Sequence, residues 1–167
     1  LDHAARIKID EYTAQSYQRY LEILMGELPV PDGEEAHLFE DQDSYMRLLA
    51  TRDTASFMSH QTCLMAVSYL FGNIEKALQT GLASEEVIHG SFGQLMEVDF
   101  RFYYTLVLAE TICRGASAEK RRLAKKMNTH LKKLARWANH NPANFEAHYL
   151  LAKAEGERAA QQMRSAE

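Results

Sequence analysis

Proline, cysteine and long apolar runs are what this 167-residue chain has least of, and each shortage excludes something. The three prolines fall at Pro29, Pro31 and Pro142, so helix-breaking positions are confined to one loop and one helix start. No uninterrupted apolar stretch approaches the roughly 20 residues that cross a bilayer, and no segment has the layout of a secretory signal. A cytoplasmic setting without a membrane partner is therefore expected. Cys63 and Cys113 each lie in an apolar helical pattern, where a thiol is a small core residue rather than a disulfide partner or a nucleophile. Sustained two-residue alternation is missing, so no sheet is expected. Positive charge is also short: 19 Lys and Arg stand against 23 Asp and Glu, a net charge of -4. That balance argues against a protein whose main work is holding nucleic acid or a lipid surface.

Against these absences, 46% of the residues are hydrophobic, enough for one helical domain over residues 1–167 to bury a core. Both ends are already in helical register, and we read the chain as a piece of a longer one. Ile7, Ala14, Tyr17, Leu21 and Leu24 recur at helical spacing and predict an amphipathic helix over residues 2–25, ended by a loop at residues 26–33. An acidic stretch follows, anchored by Phe39, and Asp43 is placed to cap a short helix carrying Tyr45, Met46, Leu48 and Leu49. Residues 54–71 have almost no polar face and must be buried on two sides. Gly72 breaks that helix, and the next carries Ile74, Ala77, Leu78 and Leu82 on one stripe. Ser91 and Gln94 have the spacing of a capping box opening a helix over residues 94–114, which has two apolar stripes. Gly115 is expected to act as a left-handed stop. Ser117 then opens a helix with the stripe Leu123, Met127, Leu131, Leu134 and Ala138. Asn141 and Pro142 form a cap and first helical position, and the last stripe is Phe145, Tyr149, Ala152, Gly156, Ala159 and Met163.

Long helices joined by short turns run antiparallel to their neighbours. Helices that are apolar on two sides favour a stack of hairpins over a closed bundle, the alternative arrangement. The small residues Ala152, Gly156 and Ala159 point the same way, because they admit another backbone closely, and a partner outside the chain is expected there.

Leu64, Gly72 and Ala77 resemble the heart of a tetratricopeptide repeat: a large apolar residue on one helix, a turn glycine, then alanine where the second helix approaches. Gln61 stands where that repeat carries a bulky aromatic, and strict repetition at about 34 residues is not visible. A longer order of residues runs from Tyr69, Gly72 and Ala77 through Phe102, Tyr103 and Leu106 to Trp137, Ala138, Asn141, Pro142, Phe145, Leu150 and Leu151. It resembles the tetratricopeptide-like helical region of very large sensor kinases, which join a serine/threonine-kinase-like domain and an AAA-type ATPase to a GAF and histidine-kinase end. In that family the Trp-Ala step is followed by Cys-Pro-Glu-Asn-Phe, whereas this chain has Asn141, Pro142, Ala143, Asn144 and Phe145. The resemblance implies a non-catalytic signal-relay module between ATPase and kinase output, without a cofactor. Its partners would be other domains of the same polypeptide or a second copy. The kinases' own glycine-rich, Walker and catalytic-loop motifs are missing here.

Two features of the residues point elsewhere. Glu34 with His37 and Glu86 with His89 have the Glu-x-x-His spacing of a di-iron site in a helical bundle, the metalloenzyme alternative. Their setting counts against it, since Glu34 follows a proline loop and His89 precedes Gly90. Lys120, Arg121, Lys125, Lys132, Lys133 and Arg136 form a candidate interaction face for phosphates, nucleic acid or an acidic partner. The plain alternative is a solvated helix face opposite a regular apolar stripe. Acidic residues such as Glu34, Glu35, Glu40, Asp41 and Asp43 are candidates to pair with it. Trp137 is expected to lock two hairpins together, with several kcal/mol of stability resting on it.

Overall fold

A computed structural model describes residues 3–33, 37–39, 42–51, 53–85, 87–88, 95–115 and 117–165, with side chains left undescribed at 3–10, 51, 95 and 117–118. Among the described residues there are seven helices and no strand, an all-α fold. They are α1 (His3–Leu24), α2 (Gln42–Thr51), α3 (Thr54–Leu70), α4 (Ile74–Glu85), α5 (Leu95–Arg114), α6 (Ser117–His140) and α7 (Pro142–Arg164). Two compact units divide the chain, Leu1–Glu97 and Val98–Glu167.

In the first unit α3 is the central element. Ser56 and every residue from Met58 to Ser68 are buried, as the near-absence of a polar face required. Asp53 starts it, its carboxylate accepting from the backbone N–H groups of Ala55 (3.2 Å) and Ser56 (3.0 Å). Its end is set by Gly72 at φ +86°, which lets the Asn73 N–H reach back to the Ser68 carbonyl at 2.8 Å. Asn73 then accepts from the Lys76 N–H at 3.1 Å and so caps α4. One glycine and one asparagine thus close the α3–α4 hairpin. Leu64 and Ala77 are both buried.

α1 packs on α3 through a different face from the expected one. Tyr17, Leu21 and Leu24 are exposed, whereas Ser16 and Ile23 are buried and Thr13 and Tyr20 partly so. The stripe is displaced by one residue, a rotation of about 100°. Ser16 explains it: its hydroxyl donates to the Tyr12 carbonyl at 2.9 Å, which satisfies a polar group on the contact face and leaves a small side chain there. Thr13 meets Ser56 at 3.1 Å, and Ile23 joins Leu38, Cys63, Leu64 and Val67 in one apolar cluster. Leu28 and Val30 of the loop pack on the same cluster. α2 begins at Gln42, so Asp43 lies in its first turn rather than before it. The Ser91 and Gln94 capping box lies outside the described residues.

In the second unit α6 and α7 form an antiparallel hairpin against α5. Leu123, Met127, Leu134 and Ala138 are buried along α6 as the stripe predicts, and His130 is buried among them. Ala152, Gly156 and Ala159 are buried too, and the expectation that they await an absent partner is corrected. They are the near face of the hairpin itself. A Cβ on Gly156 would lie 3.0 Å from Leu131 Cδ1 and 3.7 Å from Met127 Cε, so α6 fills the space that the small residues leave. A branched side chain does not fit there: Gly156→Val is expected to cost about 2–3 kcal/mol in a urea-unfolding experiment. Gly156→Ala should stay within about 1 kcal/mol of the parent, because the Leu131 tip can give way and alanine favours the helix.

Gly115 is corrected as well. Its φ is not in the left-handed region, and the residue is tied instead by its N–H to the Thr111 carbonyl at 2.8 Å. A Cβ would meet that carbonyl at 2.9 Å, so the position excludes a side chain by crowding. Pro142 takes the first turn of α7 as expected, but the Asn141 side chain makes no cap hydrogen bond. No described helix is long and apolar enough to cross a membrane.

Candidate functional site

α6 carries the strongest chemical asymmetry in the described structure. Eight lysines and arginines share it with one carboxylate, Glu119, in a chain whose net charge is -4. That carboxylate is taken up by Arg122 at 2.9 Å. Arg121, Lys125, Lys132 and Arg136 are exposed, and Lys120 and Lys133 are partly buried. Lys133 places its ammonium 5.4 Å from the centre of the Trp137 ring, and the Arg101 guanidinium lies 6.0 Å from the same ring. The six-residue face is therefore divided. Lys133 helps to cover the tryptophan, while Arg121, Lys125 and Lys132 border a cleft of about 460 Å³ that Met163 of α7 also lines.

Trp137 and Phe145 belong to the α6–α7 hairpin and stand with ring centres 6.4 Å apart. With Tyr149, Leu131 and Phe102 they surround Val98, Leu134 and Ala152. Trp137 is only partly buried, which lowers the expectation for its removal. Trp137→Ala should cost about 2 kcal/mol, read as a shift in the urea midpoint. Phe102 and Tyr103 are partly buried neighbours in edge-to-face contact at 5.1 Å, and Phe102 also meets His148 at 5.0 Å. Burial holds the nearby Asp99 carboxyl above the usual range, with His148 pulling it partly back. One ion pair ties α5 to α7 at the other end, Arg158 to Glu110 at 2.7 Å, and Arg158 also reaches Glu155 of its own helix at 2.7 Å. The Glu110 carboxyl is lowered chiefly by the hydrogen bond from Arg158, and then by the one from Arg114.

Of the Glu-x-x-His set, Glu34, Glu86 and His89 lie outside the described residues. His37 is described, and its ring is engaged: Nε2 pairs with Gln42 Oε1 at 2.8 Å, and the ring stacks on Tyr45 at 5.0 Å. Among the described residues no group of three or more His, Cys, Asp or Glu is placed to hold a metal ion.

Two buried histidines carry no spacing signal and were not singled out by sequence. His130 is buried, and Arg101 donates to its Nδ1 at 3.1 Å, so the ring proton sits on Nε2. Phe100 and Tyr104 present their rings to it edge to face. His60 is fully buried and stacked on Phe39 at 4.9 Å, with Tyr45 at 5.3 Å. Neither of its ring nitrogens has a hydrogen-bond partner among the described residues. Burial pushes its pKa down to about 3, helped by the charge of His37.

Elsewhere, Tyr17, Leu21 and Leu24 form an exposed apolar row on α1, with exposed Met25 just past its end. No protein-family model, curated protein or solved structure matches the chain.

Proposed function

We propose that this chain is a non-catalytic protein-interaction and signal-relay module: a tetratricopeptide-like stack of helical hairpins that couples an ATPase region to a histidine-kinase output within a multidomain sensor kinase. One observation carries the reading. The residues that resemble that family coincide with hairpin turns and their packing, Leu64, Gly72 and Ala77 at the α3–α4 turn and Trp137, Pro142 and Phe145 at the α6–α7 turn. Side chains of these types at these places shape helix pairs and do no chemistry of their own. The partner class that follows is protein, either other domains of the same polypeptide or a second copy. Cys63, buried, and Cys113, partly so, are present as thiols rather than as a disulfide, which favours a reducing, cytoplasmic setting.

The reading frame that encodes the chain tests this directly. An ATPase region upstream and a histidine kinase downstream are expected, and a frame with neither would contradict the relay role. Metal analysis of the purified protein tests the scaffold separately: stoichiometric iron or manganese would put the Glu-x-x-His alternative in its place.

A further inference from the structure

We propose that the cleft bordered by Arg121, Lys125, Lys132 and Met163 is the docking site for an acidic, amphipathic helix of a protein partner, a reading that rests on the interaction-module role and names its partner chemistry. Arg121, Lys125, Asn128 and Lys132 are spaced by four, three and four residues, which places them on one line of α6. Lys125 and Lys132 are separated by about 10 Å along the axis, the distance between carboxylates seven residues apart on a second helix. Ala124 leaves a depression beside the cations, and Met163 supplies an apolar wall from α7. Methionine is a side chain that adapts to an apolar anchor of a docked helix.

The charges of Lys125 and Lys132 are available for a partner. Glu119 is committed to Arg122, Glu157 to Lys153, and Glu155 to Arg158. Neither Lys125 nor Lys132 enters an ion pair among the described residues. Nearby polar groups complete the lining, with the Thr129 hydroxyl donating to the Lys125 carbonyl and the Asn128 amide exposed. Charge complementarity thus selects an anionic occupant, and the paired cation line with an apolar wall selects a helix over a bare phosphate. Nucleic acid fits less well. The cleft lining has no aromatic platform for bases, and the chain as a whole is acidic.

The test is fluorescence anisotropy with a labelled 18-residue alanine-rich helical peptide carrying glutamates at seven-residue spacing and one leucine stripe. Parallel arms use the same peptide interrupted by two prolines and a labelled single-stranded DNA. We expect saturable binding of the helical peptide, weakened about tenfold or more by the double substitution K125E/K132E and by raising NaCl from about 0.05 M to 0.5 M. A peptide with lysines in place of the glutamates should bind K125E/K132E better than it binds the parent. Both lysines are exposed, so circular dichroism should show the fold unchanged. Binding unaffected by K125E/K132E, no binding, or DNA bound more tightly than the peptide and lost in the variant would each overturn the proposal. A chain that binds the peptide but is encoded without ATPase or kinase regions keeps the docking site and loses the relay role; the reverse result does the opposite.

Discussion

Lowering the pH from 7 towards 3 is expected to remove on the order of 4 kcal/mol of stability through His60 alone. The ordinary pKa is 6.5, and burial brings it to about 3 in the fold. Between those values the unfolded chain takes up a proton that the folded chain refuses. Stability from this group is therefore complete above pH 6.5 and falls as the pH drops towards 3. Geometry explains the refusal, since the ring is sealed between Phe39 and Tyr45 with no partner for either nitrogen among the described residues. Carboxylates also titrate at the lower end of this window, so the variant His60→Leu isolates the effect. Leucine is close in volume and brings no buried polar atom, and at pH 7 the variant should lie within about 1 kcal/mol of the parent or above it. In urea titrations at pH 7, 5 and 4 its advantage should grow as the pH falls. Parallel pH curves for the two proteins would show that His60 is not buried as described.

Phe100→Ala is expected to cost about 3–5 kcal/mol, a large loss for a single core truncation. Phe100 is fully buried, with its ring 5.3 Å from that of Tyr104 and 6.1 Å from that of His130. Phe102, two residues on, is only partly buried, and Phe102→Ala should cost roughly half as much. Differential scanning calorimetry of the two variants gives the comparison. Equal losses would contradict the placement of α5, because a half turn of helix separates a sealed position from one that keeps contact with solvent.

That pair also shows what could be read in advance. Sequence periodicity identifies both phenylalanines as members of apolar stripes on a helix buried on two sides, and α5 is such a helix. It cannot rank them, because neighbouring helices cover the stripes unequally. The same limit explains α1. Hydropathy assigns Tyr17, Leu21 and Leu24 to the core, yet the contact face is built around Ser16, whose hydroxyl is satisfied by its own helix and whose size admits α3. Small residues on α7 mislead in the opposite sense. Ala152, Gly156 and Ala159 announce a close backbone approach, but nothing in their spacing says that the partner is the preceding helix. Punctuation was more legible: Gly72 and Pro142 act as a stop and a start through backbone constraints that travel with the residue. Of the candidate site, the cationic face of α6 could be read from charge alone. The cleft beside it could not, because Met163 lies more than thirty residues away and only the hairpin brings it there. His60 and His130 gave no signal, since a histidine in an apolar pattern looks the same whether its ring is bonded or bare.

A partner helix is expected to land on the cleft beside α6. Titrating 15N-labelled protein with the glutamate-bearing peptide and following backbone amide shifts locates it residue by residue. Shifts are expected to concentrate at Arg121, Lys125, Asn128, Thr129, Lys132 and Met163 and to be absent along Tyr17, Leu21 and Leu24 of α1. Shifts confined to the α1 row, or a spectrum that does not change at saturating peptide, would contradict that placement.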